Sequence, residues 1–264
     1  MNAFDFHRPA STADAIATLS RAADGRLIAG GQSLLPAIKL GLAAPTDLID
    51  LSGVATLRGI TRQPDAITIG AMTTHAEVAR SELVRANIPS LADLADGIGD
   101  QQVRARGTLG GSLANNDPAA CYPAAVLALK ASIRTDRRSI SADEFFTGIY
   151  QTALETEEII ESVRFAQPLA AAYIKFRQPA SHYALVGVFV ARFTDGVRVA
   201  VTGSAACAFR VPALEQALSA SWTAAAARGV KVNASDLNAD LHASAEYRAH
   251  LIPVLAARAV VAAR

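Results

Sequence analysis

The residues best suited to chemistry form one stretch, Gly107-Thr108-Leu109-Gly110-Gly111-Ser112-Leu113-Ala114-Asn115-Asn116-Asp117-Pro118-Ala119-Ala120. Gly110 and Gly111 carry no Cβ, permit positive φ, and let consecutive N–H groups converge into an anion-binding concavity. Ser112, Asn115, Asn116 and Asp117 follow with short polar side chains able to bond sugar hydroxyls. Pro118 is placed for the first turn of an alanine-rich helix over about residues 119–130. The chemistry these types suggest is recognition of a phosphate-bearing ligand; the competing reading is a polar loop that caps the helix.

A second glycine pair, Gly30-Gly31, ends a short apolar run and is followed by Gln32 and by Ser33, a candidate N-cap for a helix. Two strand-to-glycine turns could therefore face one ligand. Neither is a dinucleotide fingerprint, because the chain has no Gly-x-Gly-x-x-Gly with an acidic residue about 20 positions on, and no Gly-Lys-[Ser/Thr]. No nucleophile–base pair stands out, so no catalytic residue is assigned.

The elements that must position these turns are readable in outline. Ser11, with Asp14 three residues on, starts a helix through about Arg21, and Asp24-Gly25 leads into the strand that ends at Ala29. Residues 46–51 alternate as a strand, and Gly53 closes a first subdomain. Residues 57–61 and 66–71 read as a hairpin about Pro64-Asp65. Thr74 and Glu77 form a capping box, which places His75 in the first helical turn, beside the ligand or as a plain neighbour of the cap. Residues 83–98 are helical, with a new segment at Pro89. Arg104 and Arg106 would share a face if their segment is extended, either offsetting phosphate charge or facing solvent or a partner. Residues 132–135 and 157–165 read as strands, Ser141 caps a short helix, and Pro168 marks a domain boundary. Beyond it, strands at residues 172–176, 184–193 and 197–202 precede helices over 212–220, 223–229 and 244–263, and Asp195-Gly196 marks a hairpin.

Composition excludes several classes. At 264 residues the chain can hold two cores. The formal charge is +1, and the densest basic run, residues 134–138, is interrupted by Asp136, which leaves no stripe for a nucleic-acid backbone. Half the residues are apolar, yet no run approaches the ~18 that a membrane span needs. The nearest, residues 251–263, contains Pro253 and Arg258 and reads as a packed helix. The N-terminus lacks the pattern of a secretory signal, so the expected compartment is the cytoplasm. Cys121 and Cys207 are far apart, and His7, His75, His182, His242 and His250 show no ligand spacing, so neither a metal site nor an iron–sulfur cluster is expected on this chain.

Ala29-Gly30-Gly31-Gln32-Ser33, the run from Gly70 to Glu77, and the run from Ile98 to Ser112 together resemble the FAD-binding medium subunits of the molybdenum hydroxylases, the family of carbon monoxide and xanthine dehydrogenases. The likeness extends to residues 157–163 and 175–186, nearly the whole chain in order. It implies an α+β architecture: a two-subdomain FAD-binding fold of the PCMH/VAO type over residues 1–168, with subdomains of about 1–53 and 54–168. A small domain of the CO dehydrogenase flavoprotein type, an antiparallel sheet covered by helices, then occupies residues 169–264.

The resemblance also implies a site. Ala29, Gly30, Gly31, Gln32, Ser33 and Leu34, with Thr108, Gly110, Gly111 and Ser112, would wrap the FAD diphosphate. Asn115 would meet the ribityl or ribose, Ile98 and Ile160 would pack on ring systems, and Lys175, Arg177 and Tyr183 would approach the flavin from the second domain. Gln32 stands where some flavoproteins carry a flavinylated histidine, so binding should be non-covalent. Two positions depart from the family pattern: Ser112 replaces a common Asn, and Cys121 replaces a common Asp. Cys121 is either a structural substitute or a mark of weakened binding. Molybdopterin and two [2Fe–2S] clusters would reside on a large and a small partner subunit in a dimer of heterotrimers, with this chain passing electrons to an external acceptor. The alternatives are a non-enzymatic assembly or ligand-binding subunit of the same fold, and a self-sufficient flavin oxidase.

Overall fold

The computed structural model describes residues 3–264. Three larger sheets follow one another along the chain, and a small hairpin pairs Phe146–Gly148 with Gln151–Thr152. The first is wholly parallel, with Asp47–Asp50 between Asp5–His7 and Gly25–Ile28. Asp5–His7 has no sequence signal: three residues are too few for a period, and only pairing with a strand some 40 positions on makes them a strand. Ser11 caps the helix Thr12–Leu19 through a bond from the Asp14 amide, as its spacing predicts.

The second sheet is antiparallel and five-stranded, in the order Ile60–Gln63, Ala66–Gly70, Ile160–Ala166, Ser132–Thr135, Ser139–Ser141. Helices Pro89–Asp96 and Tyr122–Ala128 cover it, and Leu91, Leu94, Val126, Ile67, Ile69 and Phe165 are fully buried between these layers. Each such side chain contributes about 1.5–3 kcal/mol by leaving water.

The third sheet is antiparallel, in the order Ala170–Arg177, Ala184–Phe193, Gly196–Thr202, Phe209–Arg210. Alternation along its central strand divides the side chains between two cores. Val186, Val188 and Val190 face the long helix Ala245–Ala262, whereas Phe189 and Ala191 join the core of the second sheet. The C-terminal sheet is therefore sandwiched, with its strands buried on both faces. Asp195-Gly196 makes the expected hairpin, Gly196 at φ 140°. Pro253 interrupts the apolar run but not the helix, which continues to Ala262.

Two further contacts fix the C-terminal sheet against the turn that follows Asn116. The Thr202 hydroxyl bonds the carbonyl of Pro118 at 2.8 Å or that of Ala120 at 2.7 Å, and the Gly203 amide donates to Pro118 at 2.7 Å. No helix among the described residues is long and apolar enough to cross a membrane.

Candidate functional site

The first glycine turn leaves the parallel sheet at Ile28 and enters the helix Leu34–Lys39. Gly31 sits at φ 72°, a conformation that a side chain disfavours. The backbone amides of residues 30–34 have no acceptor among the described residues, and Gln32 folds back so that its amide nitrogen donates to the Gly30 carbonyl at 3.2 Å. Ser33 occupies the N-cap position without making a side-chain cap. Consecutive unpaired N–H groups about a left-handed glycine form an anion-binding concavity.

The second turn differs from its sequence reading. Gly110 and Gly111 are not a loop of positive φ; they lie in the first turn of the helix Leu109–Asn115, which Thr108 caps by accepting from the Gly111 amide at 3.2 Å. The Gly110 amide is also engaged, by the Ala71 carbonyl at 2.8 Å, so this pair supplies no free N–H concavity. Its glycines answer to packing. A Cβ on Gly110 would sit 2.6 Å from Ala71 Cβ, and one on Gly111 would sit 2.9 Å from Thr108 Oγ1 and 3.4 Å from Ala29 Cβ, where the two turns meet. Gly30 is equally constrained, since its Cβ would collide with the Arg106 carbonyl. The two turns thus meet backbone to backbone: the first presents amides and the second presents bare surface.

They form one wall of a cleft of about 650 Å³, within the range of cofactor sites. Ala29, Gly30, Gly31, Gln32, Ser33, Leu34, Ile98, Thr108, Gly110, Gly111, Ser112, Asn115, Cys121, Ile160, Lys175 and Tyr183 all line it. Arg177 alone of the expected contacts does not; it is exposed and points towards Gly97. Lys175 reaches across from the C-terminal sheet, its Nζ donating to the carbonyls of Gly97 at 2.8 Å and His182 at 3.1 Å and standing 3.4 Å from Cys121 Sγ.

Other expectations need correction. Arg104 and Arg106 lie on a helix, Gln101–Arg106, not on extended chain; Arg104 bonds the carbonyls of Ile98 and Gly99, Arg106 is exposed, and neither lines the cleft. The alanine-rich helix spans Tyr122–Ala128, with Pro123 rather than Pro118 in its first turn. Asn116 is not a ligand group: it is fully buried in a left-handed conformation, and its side-chain amide donates to the carbonyls of Gly148 at 2.9 Å and Gln151 at 2.7 Å. Pinning that small hairpin needs a residue that tolerates positive φ and carries two donors, which an asparagine does.

The sequence reading also missed part of the lining. Asp100, Val103, Met72, Glu158 and Ile159 reach the cleft. The carboxylates among them are already engaged. Asp100 accepts from the Val103 amide at 2.8 Å, and Glu158 is held by Arg138 and Thr135, which with its hydrogen bonds lowers its pKa to about 2. Apolar spacing alone could not have singled out Met72 or Val103.

His75 sits at the base of the cleft, 5% exposed, with its ring 5.3 Å from that of Tyr122 and its Nδ1 without a partner. Burial, reinforced by the Arg104 charge, brings its pKa down to about 4, so the ring is neutral at physiological pH. Thr74 and Glu77 complete the capping box that their spacing implies. No group of three His, Cys, Asp or Glu side chains among the described residues converges as a metal site.

The family described as the FAD binding domain in molybdopterin dehydrogenase matches residues 2–168. The nicotine 6-hydroxylase medium subunit of Paenarthrobacter nicotinovorans is 37% identical, covering 99% of this chain and 97% of the relative. The carbon monoxide dehydrogenase medium chain of Hydrogenophaga pseudoflava is 38% identical over 78% of this chain and 77% of the relative. Among solved structures, the H. pseudoflava carbon monoxide dehydrogenase superposes with a TM-score of 0.87 at 33% identity, over 99% of this chain and 97% of that one. Quinoline 2-oxidoreductase from Pseudomonas putida 86 gives 0.89 at 29% identity, over 99% and 96%. The glycine cradle fits the cofactor that the family name specifies, and the chain therefore belongs to the FAD-binding medium subunits of the molybdenum hydroxylases, as a flavoprotein subunit of an oxidoreductase.

Proposed function

We propose that this chain carries electrons from [2Fe–2S] clusters on a small partner subunit, through FAD held in the cleft, to an external acceptor. A large partner subunit with molybdopterin would perform the hydroxylation and choose the substrate, in a cytoplasmic dimer of heterotrimers. The reading is supported by relatives named as medium subunits of nicotine 6-hydroxylase and carbon monoxide dehydrogenase, and by the likeness to quinoline 2-oxidoreductase. The observation that carries the reading is the pairing of free amides at residues 30–34 with the bare backbone at Gly111 on one cleft wall.

In this reading the amides of residues 30–34 bind the FAD diphosphate, and Thr108, Gly111 and Ser112 continue the same wall beside it. Asn115 meets the ribityl or ribose, Ile98 and Ile160 exclude water from ring faces, and Lys175 with Tyr183 approaches the flavin from the C-terminal sheet. Arg177, which lies off the lining, has no part. FAD supplies the capacity to take up and release electrons; the chain supplies binding, orientation and field. The three contacts of Lys175 and the sixteen residues gathered in one cleft favour a loaded flavoprotein over an assembly subunit with weakened binding. We further assign residues 1–168 to FAD and residues 169–264 to a domain that closes the cleft.

The test is purification of the complex from its native host, with companion chains and cofactors identified by mass spectrometry, followed by anaerobic addition of its substrate. Flavin bleaching that requires the iron–sulfur subunit is expected. A flavin that stays oxidised while the clusters are reduced, or a purified chain with no flavin absorbance even after incubation with FAD, refutes the proposal.

A further inference from the structure

Arg26 and Lys175 are the arginine and lysine side chains on the cleft wall, and they differ in one respect. Arg26 is paired with Asp24 at 3.1 Å, whereas Lys175 reaches no carboxylate among the described residues. Its ammonium has three N–H donors, and the three acceptors around it are the Gly97 carbonyl at 2.8 Å, the His182 carbonyl at 3.1 Å and Cys121 Sγ at 3.4 Å. Three acceptors from three separate segments fix the charge in place. None of them is a carboxylate.

No counter-charge bonds the ammonium directly. Cys121 is 5% exposed, and the hydroxyls of Tyr173 and Tyr122 are buried without partners. Desolvation raises the pKa of both phenols, with the nearby Cys121 adding to it, so they stay neutral. Of the lining carboxylates, Glu158 is paired with Arg138, while Asp100 and Asp117 accept from the amides of Val103 and Ala119, the latter at 2.8 Å, and neither bonds Lys175. A half-buried cation with only neutral partners is stabilised when negative charge arrives beside it.

Resting on the FAD reading above, we propose that Cys121 is a positioning residue: with Gly97 and His182 it fixes the Lys175 ammonium while leaving its charge uncompensated, and that charge raises the reduction potential of the bound flavin. Oxidised FAD takes two electrons and one proton to reach its anionic reduced form, gaining one negative charge on the ring. In the complex the electrons leave reduced iron–sulfur clusters; in a titration they leave dithionite, which is oxidised to sulfite. The fixed ammonium stabilises the product of that step more than the reactant. A carboxylate at position 121 would cancel the field.

The experiment is an anaerobic dithionite titration against a reference dye, on the full-length FAD-loaded chain and its variants. Cys121→Asp is expected to shift the reduced-to-oxidised equilibrium ten- to a hundredfold towards oxidised, about 30–60 mV lower for a two-electron couple. Lys175→Met should fall by a similar amount, and the double variant no lower than Lys175→Met. Cys121→Ser, which keeps a neutral acceptor, should move the equilibrium by less than about twofold, about 10 mV. An unchanged potential in Cys121→Asp, or an equal fall when Asp is placed in the Lys175→Met background, overturns the proposal. Ultraviolet thiolate absorbance that disappears in Cys121→Ser also overturns it, because a thiolate would itself neutralise Lys175. If Cys121→Asp loses its flavin, Lys175→Met decides alone, an unchanged potential being fatal. A wild-type chain that takes up no FAD sinks the FAD reading instead, so the two failures are distinct.

Discussion

Replacing His75 by Gln should remove a pH dependence of stability whose size follows from the structure. The imidazole is 5% exposed, its Nδ1 has no partner, and its neighbours are the Tyr122 ring and the Arg104 charge rather than a carboxylate. Protonation would bury an unpaired cation, and the folded pKa is accordingly about 4 against an ordinary 6.5. The sign follows directly. A folded pKa below the unfolded one means that the unfolded chain binds the proton first, so this contribution is complete above pH 6.5 and is lost as the pH falls through 4. A difference of about 2.5 units at about 1.4 kcal/mol each is roughly 3 kcal/mol, a large share of the 5–15 kcal/mol that stabilises a typical protein.

Urea unfolding of the wild type and of His75→Gln at pH values from about 7 down to 4 isolates the effect, because other titrating groups cancel in the difference. The variant is expected to be less stable at pH 7 through lost packing, and the gap should narrow or reverse by about 3 kcal/mol at pH 4. The imidazole resonances of the wild type provide the direct reading. A gap that does not change with pH, or a His75 titration at pH 6 or above, refutes the argument.

Two further outcomes are expected. Glu158, whose side chain is fully covered and bonded to Arg138 and Thr135, has its pKa lowered to about 2, so its contribution is full above about pH 4.5 and is lost as the pH falls towards 2. Glu158→Gln should cost about 2 kcal/mol at pH 7, less than the shift alone implies because Arg138 is partly exposed, and should flatten the acid limb of a melting-temperature profile. Asn116→Ala should cost about 2–4 kcal/mol, because it leaves the carbonyls of Gly148 and Gln151 without their donor and puts alanine at φ 43°; calorimetry would measure it, and a cost below 1 kcal/mol would show that water replaces the side chain.

The extent to which sequence foretold the site depends on how local each signal is. The Thr74–Glu77 box, the Asp195-Gly196 hairpin and the free turn at Gly30-Gly31 are set by residues within four positions of one another, and all three are present. Family resemblance gathered distant residues such as Ile98, Ile160 and Lys175, and these share one cleft. What failed was inference about glycine's purpose. Gly110 and Gly111 read as conformational freedom, but the conformation is ordinary helix; what demands glycine is the approach of Ala71 on one side and of Thr108 Oγ1 and Ala29 on the other. Such contacts belong to the packed molecule and leave no local trace. Arg104 failed for a related reason: helix Gln101–Arg106 starts at an Asp100 cap whose apolar pattern is too short to register.

The central claim is that FAD lies along the cleft wall that the two turns build together, and FAD titration followed by flavin fluorescence tests it with two variants at Gly111. A Cβ there would sit 2.9 Å from Thr108 Oγ1 and 3.4 Å from Ala29 Cβ, so Gly111→Glu would put bulk and negative charge on the wall proposed to hold the diphosphate, while Gly111→Ala controls for the added Cβ and its contact with the Thr108 cap. Wild type and Gly111→Ala should bind FAD with Kd values within about tenfold, and Gly111→Glu at least about a hundredfold more weakly, about 2.7 kcal/mol, with an unchanged circular dichroism spectrum. Equal affinity in a folded Gly111→Glu chain would place the cofactor elsewhere and contradict the account.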